Sequence, residues 1–394
     1  MNEFLLGSLA AWACVVAIAS RRSRSYMMFR AVSLGIYVLL ASSMVRQLAP
    51  LAPAFYYLHA AVFVHSLALV APRMRPLWYR ALVSIPSAFM SAGTLLALPW
   101  AIAGAVGFEP WAPWAPYLAA LLGLVQSFTT KTEEVDITVA DGEVIDGVQR
   151  HRDRRERVAR PLHLVQITDP HLGPFMSEAR LRAICERAVR REPDLVLLTG
   201  DFLTMESQKD PAILARALAP LKALEGRVFA CFGNHDHEAP ETVRRALTSV
   251  GAELLVDAAS VVQTAAGPVQ IVGFDFSYRE RARRMQACCE AHPRLPGTLR
   301  IALLHDPGAF QHLPAGEADL VVSGHTHGGQ VGLVSLGLPW TMLRLFAKIP
   351  DHGLWARGTD RLYVHRGTGH YGFPLRLGVP AEESLLRVHA APAG

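Results

Sequence analysis

The chain lacks what a disulfide scaffold or a thiolate zinc site would need. Its five cysteines, Cys14, Cys185, Cys231, Cys288 and Cys289, include no C-x-x-C pair, so neither a disulfide framework nor a structural zinc site is expected. Cys288 and Cys289 are adjacent and read as buried thiols, a usage that suits a reducing compartment. Charge is scarce early in the chain, where the long apolar runs sit almost entirely before Lys131. Those runs offer His59 and His65 no carboxylate or lysine partner. That argues against a proton relay, and so against a transporter or sensor working within the membrane. The net charge of +5 is modest. Membrane topology explains the basic runs, and no nucleic-acid partner is expected.

What is present divides the 394 residues into unlike parts, with hydrophobic residues making up 51% overall. Residues 1–130 are expected to be transmembrane helices, 131–160 a juxtamembrane linker, and 161–394 a globular domain long enough to bury a substantial core. A crossing helix needs about 20 apolar residues. The candidates are 4–20, 27–45, 54–72, 81–106 and 113–129, which makes five spans, with four as the alternative count, the fourth candidate kinked by Pro86 and Pro99. The first is no signal peptide, because its basic cluster follows the apolar run. Trp100, Trp111 and Trp114 gather at one boundary, as interfacial anchors do. Arg21, Arg22, Arg24 and Arg30 mark one loop, and Arg73, Arg75 and Arg80 another. Both should be cytoplasmic, which puts the N-terminus outside and the globular domain inside. "HRDRRERVAR" (151–160) is then either a solvated linker or a contact with anionic lipid.

From 162 onward, short apolar runs are each followed at once by Asp, His or Asn with Gly. "HLVQI" leads to Thr168-Asp169-Pro170-His171, "DLVLL" to Thr199-Gly200-Asp201, and "RVFACF" to Gly233-Asn234-His235-Asp236. "RIALL" leads to His305-Asp306-Pro307, and "ADLVV" to Ser323-Gly324-His325-Thr326-His327. Such runs fit buried strands. Helical spacing lies between them, as in 177–191, with Ser177 as N-cap, and in 210–224 and 240–250. Alternating strands and helices indicate an α/β domain, in which polar residues past the strand ends share one crevice. Asp169, His171, Asp201, Asn234, His305, His325 and His327 form the candidate constellation. Seven nitrogen and oxygen donors exceed one centre that also keeps a water. They suit two divalent ions about 3.5–4 Å apart sharing a carboxylate.

In order and spacing, Asp169-x-His171, Gly200-Asp201, Gly233-Asn234-His235-Asp236, His305 and Gly324-His325-x-His327 resemble the calcineurin-like metallophosphoesterases. The likeness covers roughly 160–390. With the preceding spans, "RLYVHRGTGHYGFPLRLGVPAE" (361–382) resembles the membrane-anchored bacterial branch, which implies an integral protein of a bacterial inner membrane. The resemblance implies an α/β fold, a four-layer αββα sandwich of two facing mixed sheets flanked by helices, preceded by an all-α transmembrane bundle. It implies that Asp169, His171 and His327 hold one divalent ion, that Asn234, His305 and His325 hold the other, and that Asp201 bridges them. Mn, Fe and Zn all fit such ligands. It gives His235 the role of acid or phosphate clamp. Some members of that branch act on lipid-linked pyrophosphates such as UDP-diacylglucosamine. Thr204 departs from the pattern of the phosphoprotein phosphatases, which carry an aspartate there, and leaves His235 without an evident orienting partner.

The expected activity is therefore hydrolysis of a phosphate ester or pyrophosphate of a lipid-linked substrate at the cytoplasmic face. The alternatives are a tethered phosphodiesterase acting on soluble nucleotides and a non-catalytic metal-binding scaffold. Asp236 is read as a brace for its loop, and His237 beside it as an ordinary loop residue with substrate contact as the sharper reading. His365 and His370 are read as parts of a surface loop, with a phosphate-contacting wall as the sharper reading. "YRERARR" (278–284) is read as a solvated helix face, with a pyrophosphate grip as the sharper reading. "LPWTMLRLFAKIP" (338–350) mixes apolar residues with Arg344 and Lys348, as a segment lying on a bilayer would. No oligomeric state follows from these features.

Overall fold

The computed structural model describes residues 2–139, 143–152, 160–372 and 374–390. The chain divides into two compact units, residues 1–128 with 372–377 and residues 129–371 with 378–394.

In the first unit, Arg24–Gln47 and Ala49–Ala68 are long and apolar enough to cross a membrane, and Leu77–Leu96 with Leu98–Ala105 forms a third candidate bent by 56°. Glu3–Ala19 and Ala115–Ser127 are shorter apolar helices. By length and composition, the five expected spans become two, or three with the bent pair. The bend in the fourth run falls at the kink expected at Pro99. Pro99 can open a helix but cannot continue one from below, and it stands in the first turn of Leu98–Ala105. The last run yields only 13 helical residues before the chain turns into a strand. His59 is a satisfied core residue, with its ring nitrogens 2.9 Å from Ser8 Oγ and 2.9 Å from Tyr37 OH. Arg22 donates to Leu69 O (2.7 Å) and Arg75 to Ala68 O (3.0 Å), so the two arginine-rich loops lie at one end of the helices.

The second unit begins with β1 (Thr130–Val139), β2 (Ile145–Arg150), β3 (Leu162–Ile167), β4 (Leu195–Leu198) and β5 (Val228–Ala230). It continues through β6 (Glu253–Leu254), β7 (Ala258–Thr264), β8 (Gly267–Gly273) and β9 (Leu299–Leu303). β10 (Leu320–Ser323), β11 (Gly353–Gly358), β12 (Asp360–Val364) and β13 (Ala381–Ala390) complete the strands. One sheet runs β1-β13-β3-β4-β5-β6 and the other β2-β11-β12-β10-β9-β8-β7. Both are mixed: β3, β4 and β5 are parallel, as are β8, β9, β10 and β12, whereas β13 runs antiparallel to β3 and β11 to β12.

Strand period two explains why the runs are apolar throughout. Leu164, Leu195 and Leu197 of one sheet meet Ile301, Leu303, Leu320 and Val322 of the other in a core between the sheets. The alternate residues Ala302, Val321 and Val364 face outward, into a second core with Met285, Cys288 and Cys289 of helix Arg281–Ala291. On the other outer side, Ile184 and Ala188 of helix Glu178–Arg190 line a small cavity with Val165 and Ile167. The layers are thus helix, sheet, sheet, helix. Ser177 caps that helix, its side chain accepting from Arg180 N–H (3.2 Å).

The expected linker 131–160 is mostly sheet where it is described. β1 pairs with β13 and β2 with β11, each an edge strand of its sheet. β1 turns Ile137 and Val139 into the core while Glu134 and Asp136 face out, so its charges imitate a linker. Residues 153–159 of the basic stretch lie outside the described residues.

Candidate metal centre

The seven candidate ligands sit just past the C-terminal ends of β3, β4, β5, β9 and β10, where parallel strands deliver their loops to one edge. Two groups form there, Asp169 with His171 and His327, and Asp201 with His305 and His325, with the ligand atoms of each group within 4.8 Å of one another. In the first, His171 Nε2 stands 3.2 Å from His327 Nε2, and His327 Nε2 stands 3.4 Å from Asp169 Oδ1. In the second, His305 Nε2 is 3.2 Å from His325 Nδ1 and 3.3 Å from Asn234 Oδ1, which brings Asn234 to the same group. Asp201 Oδ2 faces both, 3.3 Å from His305 Nε2 and 3.7 Å from His171 Nε2.

The backbone is bent to achieve this. Asp169 (φ 51°), His171 (φ 43°), Asp201 (φ 57°), His325 (φ 68°) and His327 (φ 50°) all adopt left-handed conformations that cost non-glycine residues energy. Hydrogen bonds hold them there. Asp169 N–H donates to Gly200 O (3.0 Å), His171 N–H to Asp201 O (3.2 Å) and His325 N–H to Asp169 Oδ2 (2.9 Å). Asp236 accepts from the backbone N–H of Asp201, Phe202 and Gly233, and so is the expected brace. Two glycines are required by space. A Cβ on Gly324 would lie 2.1 Å from Asp169 Oδ2, and one on Gly233 would lie 2.2 Å from Asp201 Oδ1.

The donor chemistry fits cations. Imidazole nitrogens and carboxylate oxygens converge, without thiolates, on positions where two ring nitrogens face each other at 3.2 Å. His305 Nδ1 lies 2.7 Å from Thr199 O, which fixes the tautomer and leaves Nε2 toward the centre. Burial pushes the Asp169 carboxyl up to about 6, opposed by His305 and assisted by Asp201. Burial drives His171 down to about 3 and His325 down to about 4. His305 rises to about 10 against its burial because of Asp201. Burial would raise Asp201 too, but the His305 charge and hydrogen bond hold it well below the carboxylate range. Among the described residues, the ion-pair partners of Asp169 and Asp201 are all histidines. Two buried carboxylates without lysine or arginine are what a pair of divalent ions would neutralise.

His235 stands at the rim, its backbone N–H donating to Asp201 Oδ1 (2.8 Å). Its Nδ1 lies 2.9 Å from Glu238 Oε1, and Gln208 holds the other Glu238 oxygen at 3.0 Å. Burial alone would lower the His235 pKa, but Glu238 and Asp201 raise it above the ordinary histidine value. Glu238 therefore fills the orienting position left open by Thr204, whose hydroxyl donates to Leu172 O instead (3.2 Å). The spacing His-x-x-Glu was its available signal. Tyr371 was also missed; its ring centroid lies 4.7 Å from His235 and 5.1 Å from His171, and half of it is exposed. No sequence signal marks it, because only the return of the chain past β12 brings it there.

Other candidates fall elsewhere. His237 Nε2 pairs with Asp275 at 3.0 Å. Arg281 pairs with Asp306 and Arg284 with Asp257, while Arg283 is solvated beside Glu280. His365 and His370 are buried, not parts of a surface loop. Their segment is a wall of the centre, since Thr368 N–H donates to Thr168 O (2.9 Å) and Gly369 N–H to Asp169 O (3.1 Å).

Residues 162–329 match the family model described as calcineurin-like phosphoesterase. The chain is 29% identical to phosphodiesterase YaeI of Escherichia coli, over 58% of this chain and 83% of that one. It is 27% identical to the UDP-2,3-diacylglucosamine pyrophosphatase LpxG of Chlamydia trachomatis, over 57% of this chain and 83% of that one. It is 30% identical to the uncharacterized metallophosphoesterase YkoQ of Bacillus subtilis, over 50% of this chain and 72% of that one.

Proposed function

The chain belongs to the calcineurin-like phosphoesterase family and is a metal-dependent phosphoester hydrolase, and we propose that it cleaves a phosphate ester or pyrophosphate of a lipid-linked substrate. The observation that carries the site assignment is the placement of Asp201 Oδ2 between His171 Nε2 (3.7 Å) and His305 Nε2 (3.3 Å). Asp169, His171 and His327 would hold one divalent ion and Asn234, His305 and His325 the other, with Asp201 available to both. Mn, Fe and Zn all suit this donor set. When bound, such a pair activates a shared water near neutral pH and neutralises phosphoryl oxygens. The side chains supply the rest. Glu238 at Nδ1 leaves Nε2 of His235 as the nitrogen that gives a proton to the leaving oxygen. Its raised pKa keeps that proton available near neutrality. Tyr371 packs against the same ring, the two planes inclined by 31°.

Two observations support a lipid-linked substrate. A soluble ester needs no apolar helices, and this chain has two long enough to cross a bilayer. A relative of similar sequence is named a UDP-2,3-diacylglucosamine pyrophosphatase. The arginine-rich loops support a cytoplasmic location of the hydrolase, and the resemblance to the membrane-anchored bacterial branch supports a bacterial inner membrane. Purified full-length protein in lipid nanodiscs is expected to turn over a nucleotide-linked or phosphatidyl lipid with a kcat/KM above that for bis-p-nitrophenyl phosphate. The phosphodiesterase relative favours a second reading, a tethered enzyme for soluble esters. Turnover of soluble nucleotide esters without any on lipid would establish that reading instead.

A further inference from the structure

The segment that follows His327 supplies no candidate ligand, yet it carries a cluster of exposed apolar side chains. Leu336 (73% exposed), Leu338, Trp340, Met342, Leu345 and Phe346 (80% exposed) all face solvent. Between Leu333 and Lys348 there is no Asp or Glu, and the charges are those of Arg344 and Lys348, both exposed. We propose that this loop, residues 333–348, docks on the surface of a phospholipid bilayer, with its apolar tips among the acyl chains and its two cations at the headgroups.

Three features favour lipid over other occupants. First, the loop's backbone is paired internally, as entry into an apolar phase requires. Leu333 N–H donates to Trp340 O, Leu336 N–H to Leu333 O, Gly337 N–H to Val334 O, and Phe346 N–H to Leu343 O. Second, an indole beside aliphatic tips and long cations is the composition that partitions to the interface, where Arg344 and Lys348 can reach anionic phosphates. Third, the same chain carries helices able to cross a membrane, so a bilayer is tethered to this unit at high effective concentration.

The loop stands directly on the metal-binding turn. Thr341 Oγ1 donates to Asp351 Oδ2 (2.7 Å), and Thr326 Oγ1, between His325 and His327, donates to Asp351 O (2.6 Å). Arg150 secures the remaining carboxylate oxygen of Asp351 (2.9 Å). A loop seated on lipid therefore holds the ligand turn close to the headgroups. The proposal builds on the lipid-linked substrate reading and gives it a route, direct uptake of substrate from the membrane surface.

The test is depth. A nitroxide is attached at Phe346→Cys or Leu336→Cys in full-length protein carrying Cys14→Ser, the other four cysteines being buried. The protein is reconstituted in phosphatidylcholine and phosphatidylglycerol vesicles, with Glu241→Cys on the exposed face of helix Pro240–Ser249 as reference. Unchanged turnover of bis-p-nitrophenyl phosphate reports an intact fold. At 346 and 336, collisions with oxygen should exceed those with a water-soluble nickel chelate, the reverse of the order at 241. Nickel accessibility equal to that at 241 would overturn the proposal. So would shielding from both relaxants, as at a contact with a second copy of this chain. Depth is read without turnover of lipid, so the substrate reading can fail in its own screen while this result stands.

Discussion

At the scale of single residues, catalysis and metal binding should separate. Asn234→Ala removes an oxygen beside His305 and should lose both turnover and metal, whereas His235→Ala should lose turnover by roughly a hundredfold or more with its metal retained. Metal analysis of each purified variant beside its kcat decides this, and a His235 variant with wild-type rates would remove that residue from the mechanism. Glu238→Gln keeps the size of the partner but weakens its hold on Nδ1. Its kcat should fall about ten- to a hundredfold with metal content and KM little changed, and loss of metal would show that Glu238 serves the ligand loop instead. These residues were unequally visible. Asp169 and His171 announce themselves by spacing, but their left-handed φ values do not. Glu238 was hidden because the expected orienting position was Thr204, and Tyr371 because it reaches the site through tertiary return alone.

At the scale of elements, the wall formed by β12, β13 and β1 rests on a buried polar network. Tyr363 OH donates to Glu382 Oε1, Arg366 Nε lies 3.1 Å from Glu382 Oε2, and another Arg366 nitrogen lies 2.6 Å from Glu133. Glu382→Gln leaves Arg366 under-compensated in the interior and should destabilise the fold by about 3 kcal/mol. Burial raises the Glu382 pKa, but His365 and Arg366 outweigh it and leave the carboxyl below its ordinary value. The sign follows from linkage: the stabilisation is complete above the unfolded value of about 4.3 and fades as pH falls through the lower folded value. Thermal unfolding of both proteins should differ constantly between neutrality and about pH 5 and converge in stronger acid. A gap that widens in acid would contradict the assignment. The strands that carry ligands were legible because apolar runs broke abruptly into Asp, His and Asn. β1 and β2 were not, since edge strands carry charge on their outer face and β1 finds its partner some 250 residues later. The bend at Pro99 was legible from the proline, whereas the end of the last apolar helix at Ser127 was invisible to a reading based on apolar length.

At the scale of the whole molecule, our proposal joins the apolar helices, the phosphoesterase fold and the exposed loop 333–348 in one enzyme working on lipid. If the arginine-rich loops are cytoplasmic, a cysteine at Arg73 should react with an impermeant maleimide in inside-out vesicles but not in intact spheroplasts; the opposite pattern would place the hydrolase outside. Chelation should abolish turnover, and Mn or Zn should restore it. The apo protein should also melt lower, since a ligand at a thousand times its Kd adds about 4 kcal/mol. The most direct measurement is anomalous diffraction from crystals of the metal-loaded protein. Two cations should lie about 3.5–4 Å apart with Asp201 between them, one touched by Asp169, His171 and His327 and the other by Asn234, His305 and His325. A single cation, or two that leave Asp201 uncoordinated, would contradict the account.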